Sequence, residues 1–122
     1  MYLIRAEATI EKGNSSTGLA DAAKDLNDLR SARILGYSSQ NFPDKQSLLN
    51  AIYSERFKEL AFEGHRFFDL KRRNLPVERL PEDAINASGA VKLNPDAAQY
   101  CFPIPITEMS VNKSMKQNPK YQ

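Results

Sequence analysis

The sequence has no tryptophan, one histidine, one cysteine and no long apolar run. The single cysteine, Cys101, excludes an internal disulfide and any cysteine-cluster metal site. A helical zinc site uses two histidines at i,i+4, so His65 with Glu59 or Glu63 reads as a packing or helix-end residue rather than a metal centre. No window approaches the ~20 apolar residues of a membrane-spanning helix. The opening MYLIRAEATIEKG is interrupted by Arg5, Glu7 and Glu11, which breaks the apolar core that a signal peptide needs. Glycine-rich phosphate loops and a serine nucleophile elbow are also missing. Seventeen basic against fifteen acidic residues leave a net charge of +2, too small a bias to argue for nucleic acid.

What is present is helical periodicity. Leu3, Ala6 and Ile10 share one face of a helix predicted over 2–12, and Gly13 supplies the stop. No capping residue precedes Tyr2, so the chain reads as a piece of something longer. After the turn Asn14-Ser15-Ser16-Thr17, a second helix carries Leu19, Ala22, Ala23, Leu26 and Leu29 at helical spacing. Asp21, Lys24, Asp25 and Asp28 are expected on its other side. The short connection suits an antiparallel helical hairpin over 1–35, and Ala6, Ala20 and Ala23 would let the two backbones approach. One such pair resembles a unit of a tetratricopeptide-type array.

Residues 36–45 read as a loop that ends in Asp44, a candidate N-cap. A charged and aromatic helix is predicted over 45–73, with Leu48, Leu49, Ile52, Tyr53, Phe57, Leu60 and Ala61 forming a broad apolar stripe and Gly64 ending or kinking it. Residues 74–98 hold Pro76, Pro81, Gly89 and Pro95 without a period and read as loop. Tyr100-Cys101-Phe102-Pro103-Ile104-Pro105-Ile106 reads as an extended run that cannot be a central strand. A short helical turn follows over 107–112, then an extended tail. The expected fold class is mostly α. A tetratricopeptide-like hairpin is joined by further helices, with a loop-rich segment over 74–122 and at most short strands, all within a single domain over 1–122.

The densest chemistry lies in ERFKELAFEGHRFFDLKRR, residues 55–73. On one helix Glu55, Glu59 and Glu63 would form a column of like charges, so cations must lie alongside. Glu55 with Lys58, Arg56 with Glu59 and Glu63 with Arg66 are each i,i+3, and Asp69 can reach Arg66 or Arg72. Phe57, Phe62, Phe67 and Phe68 fall on more than one side, which predicts a covered helix with paired charges. A carboxylate pair for glycoside hydrolysis needs ~5–9.5 Å between the groups, and Glu55 with Glu59 meets that as any i,i+4 pair does. The basic run Arg66, Lys71, Arg72, Arg73 is what the C-terminus of a helix attracts. The residues therefore read as a structural ion network of Arg5, Glu7, Arg30, Glu55, Arg56, Glu59, Glu63, Arg66 and Asp69. Tyr37, Tyr53 and Tyr100 are the candidates for stacking on a ligand, packing being the commoner use of a tyrosine. The sequons at Asn14, Asn86 and Asn112 carry little information.

YLIRAEA near the start, A-x-x-D-L-N-x-x-R from Ala22 to Arg30, the block from Glu55, F-P-I-P-I-T-E from Phe102 and the closing Q-N-P-K-Y resemble, in order, the C-terminal part of the SusD/RagB family of outer-membrane nutrient-binding lipoproteins of Bacteroidetes. The resemblance implies a fragment of a longer helical scaffold built on tetratricopeptide-like pairs. It also implies surface exposure through a lipidated N-terminal cysteine absent from this chain, capture of glycans or other nutrients without catalysis, and a SusC-type TonB-dependent transporter as partner. It implies no cofactor and no nucleic acid. Phe67 stands where the family often has tryptophan, and Lys120 where the terminal motif usually has glycine. The family's aromatic glycan platform lies largely outside the matched stretch. The competing reading from the residues is a tetratricopeptide-like protein-interaction module. A fragment of this kind is expected to expose faces meant for missing helices and to self-associate through them.

Overall fold

The computed structural model describes residues 1–13, 16–87, 90–118 and 121. Asn14 and Ser15 of the first turn, Ser88 and Gly89, and Pro119, Lys120 and Gln122 of the tail lie outside them. The fold is mostly helical with one two-stranded sheet, and the chain forms two compact units, Met1–Gly64 and His65–Gln122.

The first unit holds α1 (Tyr2–Lys12), α2 (Ser16–Arg33) and α3 (Lys45–Glu59). Leu3, Ala6 and Ile10 of α1 are buried as their spacing requires, against Ala22 and Leu26 of α2 and Leu48, Leu49 and Ile52 of α3. Ile10, Leu26, Leu48 and Ile52 are fully enclosed, each worth about 1.5–3 kcal/mol against an exposed side chain. Ala6 and Ala22 supply the close approach of α1 to α2, whereas Ala20, expected there, faces solvent. Asp44 caps α3 by accepting the Ser47 N–H at 2.8 Å, and Ser47 Oγ accepts the Asp44 N–H at 3.4 Å, a complete capping box.

The helix expected to run from 45 to 73 is two helices. α3 ends at Glu59, where the Leu60 N–H reaches back to Arg56 and the Ala61 N–H to Lys58. The chain then enters the left-handed region twice, at Phe62 (φ 66°) and Gly64 (φ 75°), which no right-handed helix accommodates. The column of three glutamates therefore ends at Glu59, and Glu63 sits in an exposed turn.

The second unit begins with α4 (Arg66–Arg72). Residues expected to be loop include β1 (Val77–Glu78) and β2 (Lys92–Leu93), antiparallel with Val77 opposite Leu93, and a 3-10 segment over Pro81–Ala87. Another 3-10 turn, Ala98–Tyr100, leads through extended backbone into α5 (Ile106–Val111). Prolines 103 and 105 keep that extended run out of the sheet.

Candidate functional site: the ion-paired helical hairpin

Around the apolar core of the first unit, polar contacts tie each helix to the other two. Arg5 of α1 forms a fork on Asp25 of α2, Nε to Oδ2 at 2.7 Å and Nη2 to Oδ1 at 2.6 Å. The hydrogen bond and the charge of Asp25 raise the Arg5 pKa further above its already high value. Arg30 of α2 donates from Nε to Glu55 Oε2 of α3 at 2.8 Å and from Nη1 to Gln40 Oε1 at 2.8 Å. Burial works against the Arg30 charge, but hydrogen bonds with Tyr37 and Glu55 outweigh it and the pKa rises. One turn on, Arg33 forks onto Glu59 with contacts of 2.6–3.1 Å. Arg30 and Arg33 are i,i+3 on one helix and Glu55 and Glu59 i,i+4 on the next, so both pairs meet on facing sides. Glu7 of α1 accepts the Tyr53 hydroxyl of α3 at 3.1 Å, and Glu11 pairs with Lys45 at 2.7 Å.

Asn27 anchors the connection between α2 and α3. Its amide donates to the Gln40 carbonyl at 2.9 Å and accepts the Gln40 N–H at 3.0 Å, while Tyr37 Oη donates to Asn27 Oδ1 at 2.6 Å. Among the described residues no buried side-chain nitrogen or oxygen lacks a partner.

The structure brings together Arg5, Glu7, Arg30, Glu55 and Glu59 in the first unit, and there Arg56 lies half-buried on α3. Lys58 Nζ stands 3.7 Å from Glu55, a secondary contact beside Arg30. In the second unit Asp69 accepts from Arg72 Nε at 3.0 Å, and Arg66 opens α4 on the surface. Sequence reasoning missed Asp25, Arg33, Asn27 and Gln40. Asp25 was expected to point outward but is 7% exposed. It lies three residues after the buried Ala22, at the edge of the inward stripe, and that spacing was the available signal.

The tyrosines are engaged. Tyr37 and Tyr53 spend their hydroxyls on Asn27 and Glu7. Tyr100 is 4% exposed, donates to the Leu75 carbonyl at 2.6 Å and packs on Phe67 with centroids 5.5 Å apart. Its ring offers no face to a ligand. Phe57, Phe62 and Phe68, expected to be covered, are exposed. Phe67 also touches Phe68 and Phe102, each at 6.0 Å, with Lys71 over its ring.

Chemically the site holds charge in place. The Arg33 hydrogen bond holds the Glu59 carboxyl below its ordinary value, the reverse of the raised pKa that a general acid for glycoside cleavage needs. Among the described residues no three potential metal ligands cluster.

A family model described as the SusD family matches residues 1–121. SusD-like protein P2 of Formosa agariphila is 34% identical over 128 residues, covering 99% of this chain and 24% of that protein. SusD-like protein P38 of the same organism is 36% identical over 85 residues, covering 64% of this chain and 16% of its own length. Among solved structures, a SusD superfamily protein from Bacteroides vulgatus ATCC 8482 aligns over 99% of this chain and 26% of its own, at 30% identity and a TM-score of 0.74. A second protein of that organism, named provisionally for sugar binding, aligns over 99% of this chain and 27% of its own, at 31% identity and a TM-score of 0.77. The chain thus spans at most about a quarter of the length of these relatives.

Proposed function

This chain belongs to the SusD family, and from that premise we propose that it supplies scaffold to a non-catalytic, glycan-binding component of an outer-membrane nutrient-uptake system. The observation that carries the scaffold reading is the engagement of its candidate side chains with one another. The carboxylates of Glu55 and Glu59 face arginines, and Tyr100 is enclosed. Glycan contact then falls to the part of the family's length outside the matched quarter. The sugar-binding name of the second structural neighbour supports the ligand class. Surface exposure at the outer membrane through an N-terminal lipid, and a SusC-type TonB-dependent transporter as partner, complete the reading. No described helix is long and apolar enough to cross a membrane.

The test is glycan-array and calorimetric binding by this chain beside a complete family member such as SusD-like protein P2. Binding by the complete protein alone is expected. Glycan binding by this chain that Tyr37→Ala or Tyr53→Ala abolishes would overturn the scaffold assignment, and release of new reducing ends would overturn the non-catalytic one.

Self-association of this chain through an exposed face is a second reading with an observation in its favour. The outward side of α1 carries a shallow depression of about 270 Å³ lined by Met1, Tyr2, Ile4, Arg5 and Ala8. Self-association through this side would appear as a concentration-dependent mass in light scattering that Ile4→Glu removes.

A further inference from the structure

In Phe102-Pro103-Ile104-Pro105 the two prolines leave Ile104 with the one amide N–H between them. That N–H is donated to Gln117 Oε1 at 2.9 Å, and the Ile104 carbonyl accepts Gln117 Nε2 at 2.9 Å. One side-chain amide thus pairs with both backbone groups of a residue, as a neighbouring strand would. The Asn118 N–H donates to the same Gln117 Oε1 at 3.0 Å, which fixes the amide's orientation.

Two further contacts extend the pattern. Asn118 Nδ2 donates to the Ala98 carbonyl at 3.3 Å, and Tyr121 Oη to the Cys101 carbonyl at 3.2 Å. The carbonyls taken belong to residues 98, 101 and 104, three apart. Ala98–Tyr100 is a 3-10 turn, and Cys101 (φ −115°, ψ 137°) and Pro105 (φ −56°, ψ 139°) are extended. A Tyr121 N–H to Asn118 carbonyl bond at 2.8 Å turns the tail so that both side chains reach that row.

Apolar burial anchors this run at Tyr100, which is 4% exposed, but does little beyond it. Phe102 is 84% exposed and Ile106 85%, and both prolines face solvent. We propose that Gln117, Asn118 and Tyr121 form a C-terminal strap that sets the path of residues 101–106, beyond the buried Tyr100, and so keeps Phe102 beside Phe67. Gln117 is the clasp, because it alone meets both a donor and an acceptor of the run, at the shortest distances of the set. Unfastened, the run would lose its fixed path and the aromatic surface of Phe67, Phe68 and Phe102 would come apart, while α4 would remain.

The test is amide hydrogen exchange by NMR on the whole chain, on Gln117→Ala and Gln117→Glu variants, and on a chain ending at Lys116. Gln117→Ala should speed exchange at Ile104 about tenfold, the equivalent of one good hydrogen bond, with α4 amides unchanged. Gln117→Glu keeps the acceptor for the Ile104 N–H and should retain most of the protection. The shortened chain should also lose the Phe102–Phe67 ring contact seen by NOE. Ile104 exchange within about twofold of the parent in both Gln117→Ala and the shortened chain would overturn the proposal, assigning the path to the prolines. Acceleration of all amides of the unit together would overturn it too, since the tail would then belong to the global fold.

Discussion

Glu55→Ala removes the carboxylate that faces Arg30 while leaving the guanidinium where it is. The side chains of this pair are only 11% and 7% exposed. Arg30 would keep Gln40 at 2.8 Å, a neutral partner. An uncompensated buried charge costs about 3–5 kcal/mol. A unit of 64 residues has about 3–10 kcal/mol of stability in all, so the loss takes about a third of it or more and should lower the urea midpoint markedly. The reverse change, Arg30→Met, should cost less, because Lys58 Nζ already stands 3.7 Å from Glu55 and can swing in as a substitute cation. Arg30→Met with Glu55→Leu removes both charges and should recover most of the loss, since apolar replacement of a buried pair is often neutral. Urea unfolding followed by circular dichroism at 222 nm on the four proteins gives the cycle. A coupling of at least about 1 kcal/mol is expected for groups in direct contact. Additive single losses, each under about 1 kcal/mol, would show the pair behaving as a solvated surface pair and refute the reasoning.

The remaining predictions concern single positions. Asp44→Ala should cost about 1 kcal/mol by opening the capping box of α3, read as a lower urea midpoint with an unchanged slope. Phe62→Gly should stabilise by about 0.5–1 kcal/mol, because it relieves positive φ at a side chain that is fully exposed, less the entropy glycine brings; a lower melting temperature would contradict this. Glu59 has its carboxyl held below the ordinary 4.5 by Arg33. Its contribution is therefore complete above that value and lost as pH falls through the lower folded pKa. The stability difference between the parent and Glu59→Gln should shrink as pH falls below the ordinary carboxylate value, and a difference that grew with acid would reverse the sign. Tyr100→Phe should cost about 1 kcal/mol by leaving the Leu75 carbonyl without its donor, seen as a melting temperature a few degrees lower.

Local pattern carried much of the fold. The period of Leu3, Ala6 and Ile10, the matching stripe of α2 and the Asp44 signal are short-range features, and the backbone obeys them because each is decided within a few turns. The break after Glu59 was not legible. Phe62 takes a left-handed conformation that its residue type disfavours, so no local rule announces it, and Gly64 alone allowed a kink as readily as a stop. The ion pairs divide the same way. That Glu55 and Glu59 needed cations followed from their spacing on one helix. Arg30 was a named member of the network, but its pairing with Glu55 and the whole part of Arg33 did not follow, because the two arginines lie 25 and 26 residues from their carboxylates and were placed by the packing of α2 on α3. Local alternatives such as Lys58 were equally good on paper and came second, at 3.7 Å against 2.8 Å. Asp25 and Tyr100 were likewise decided by neighbours distant in sequence. Periodicity by itself determined which residues form helices and which faces turn inward, since those depend on local backbone preference and water. Partner choice and the enclosure of Tyr100 were decided only by the tertiary structure, because they depend on distances between elements that no spacing along the chain encodes.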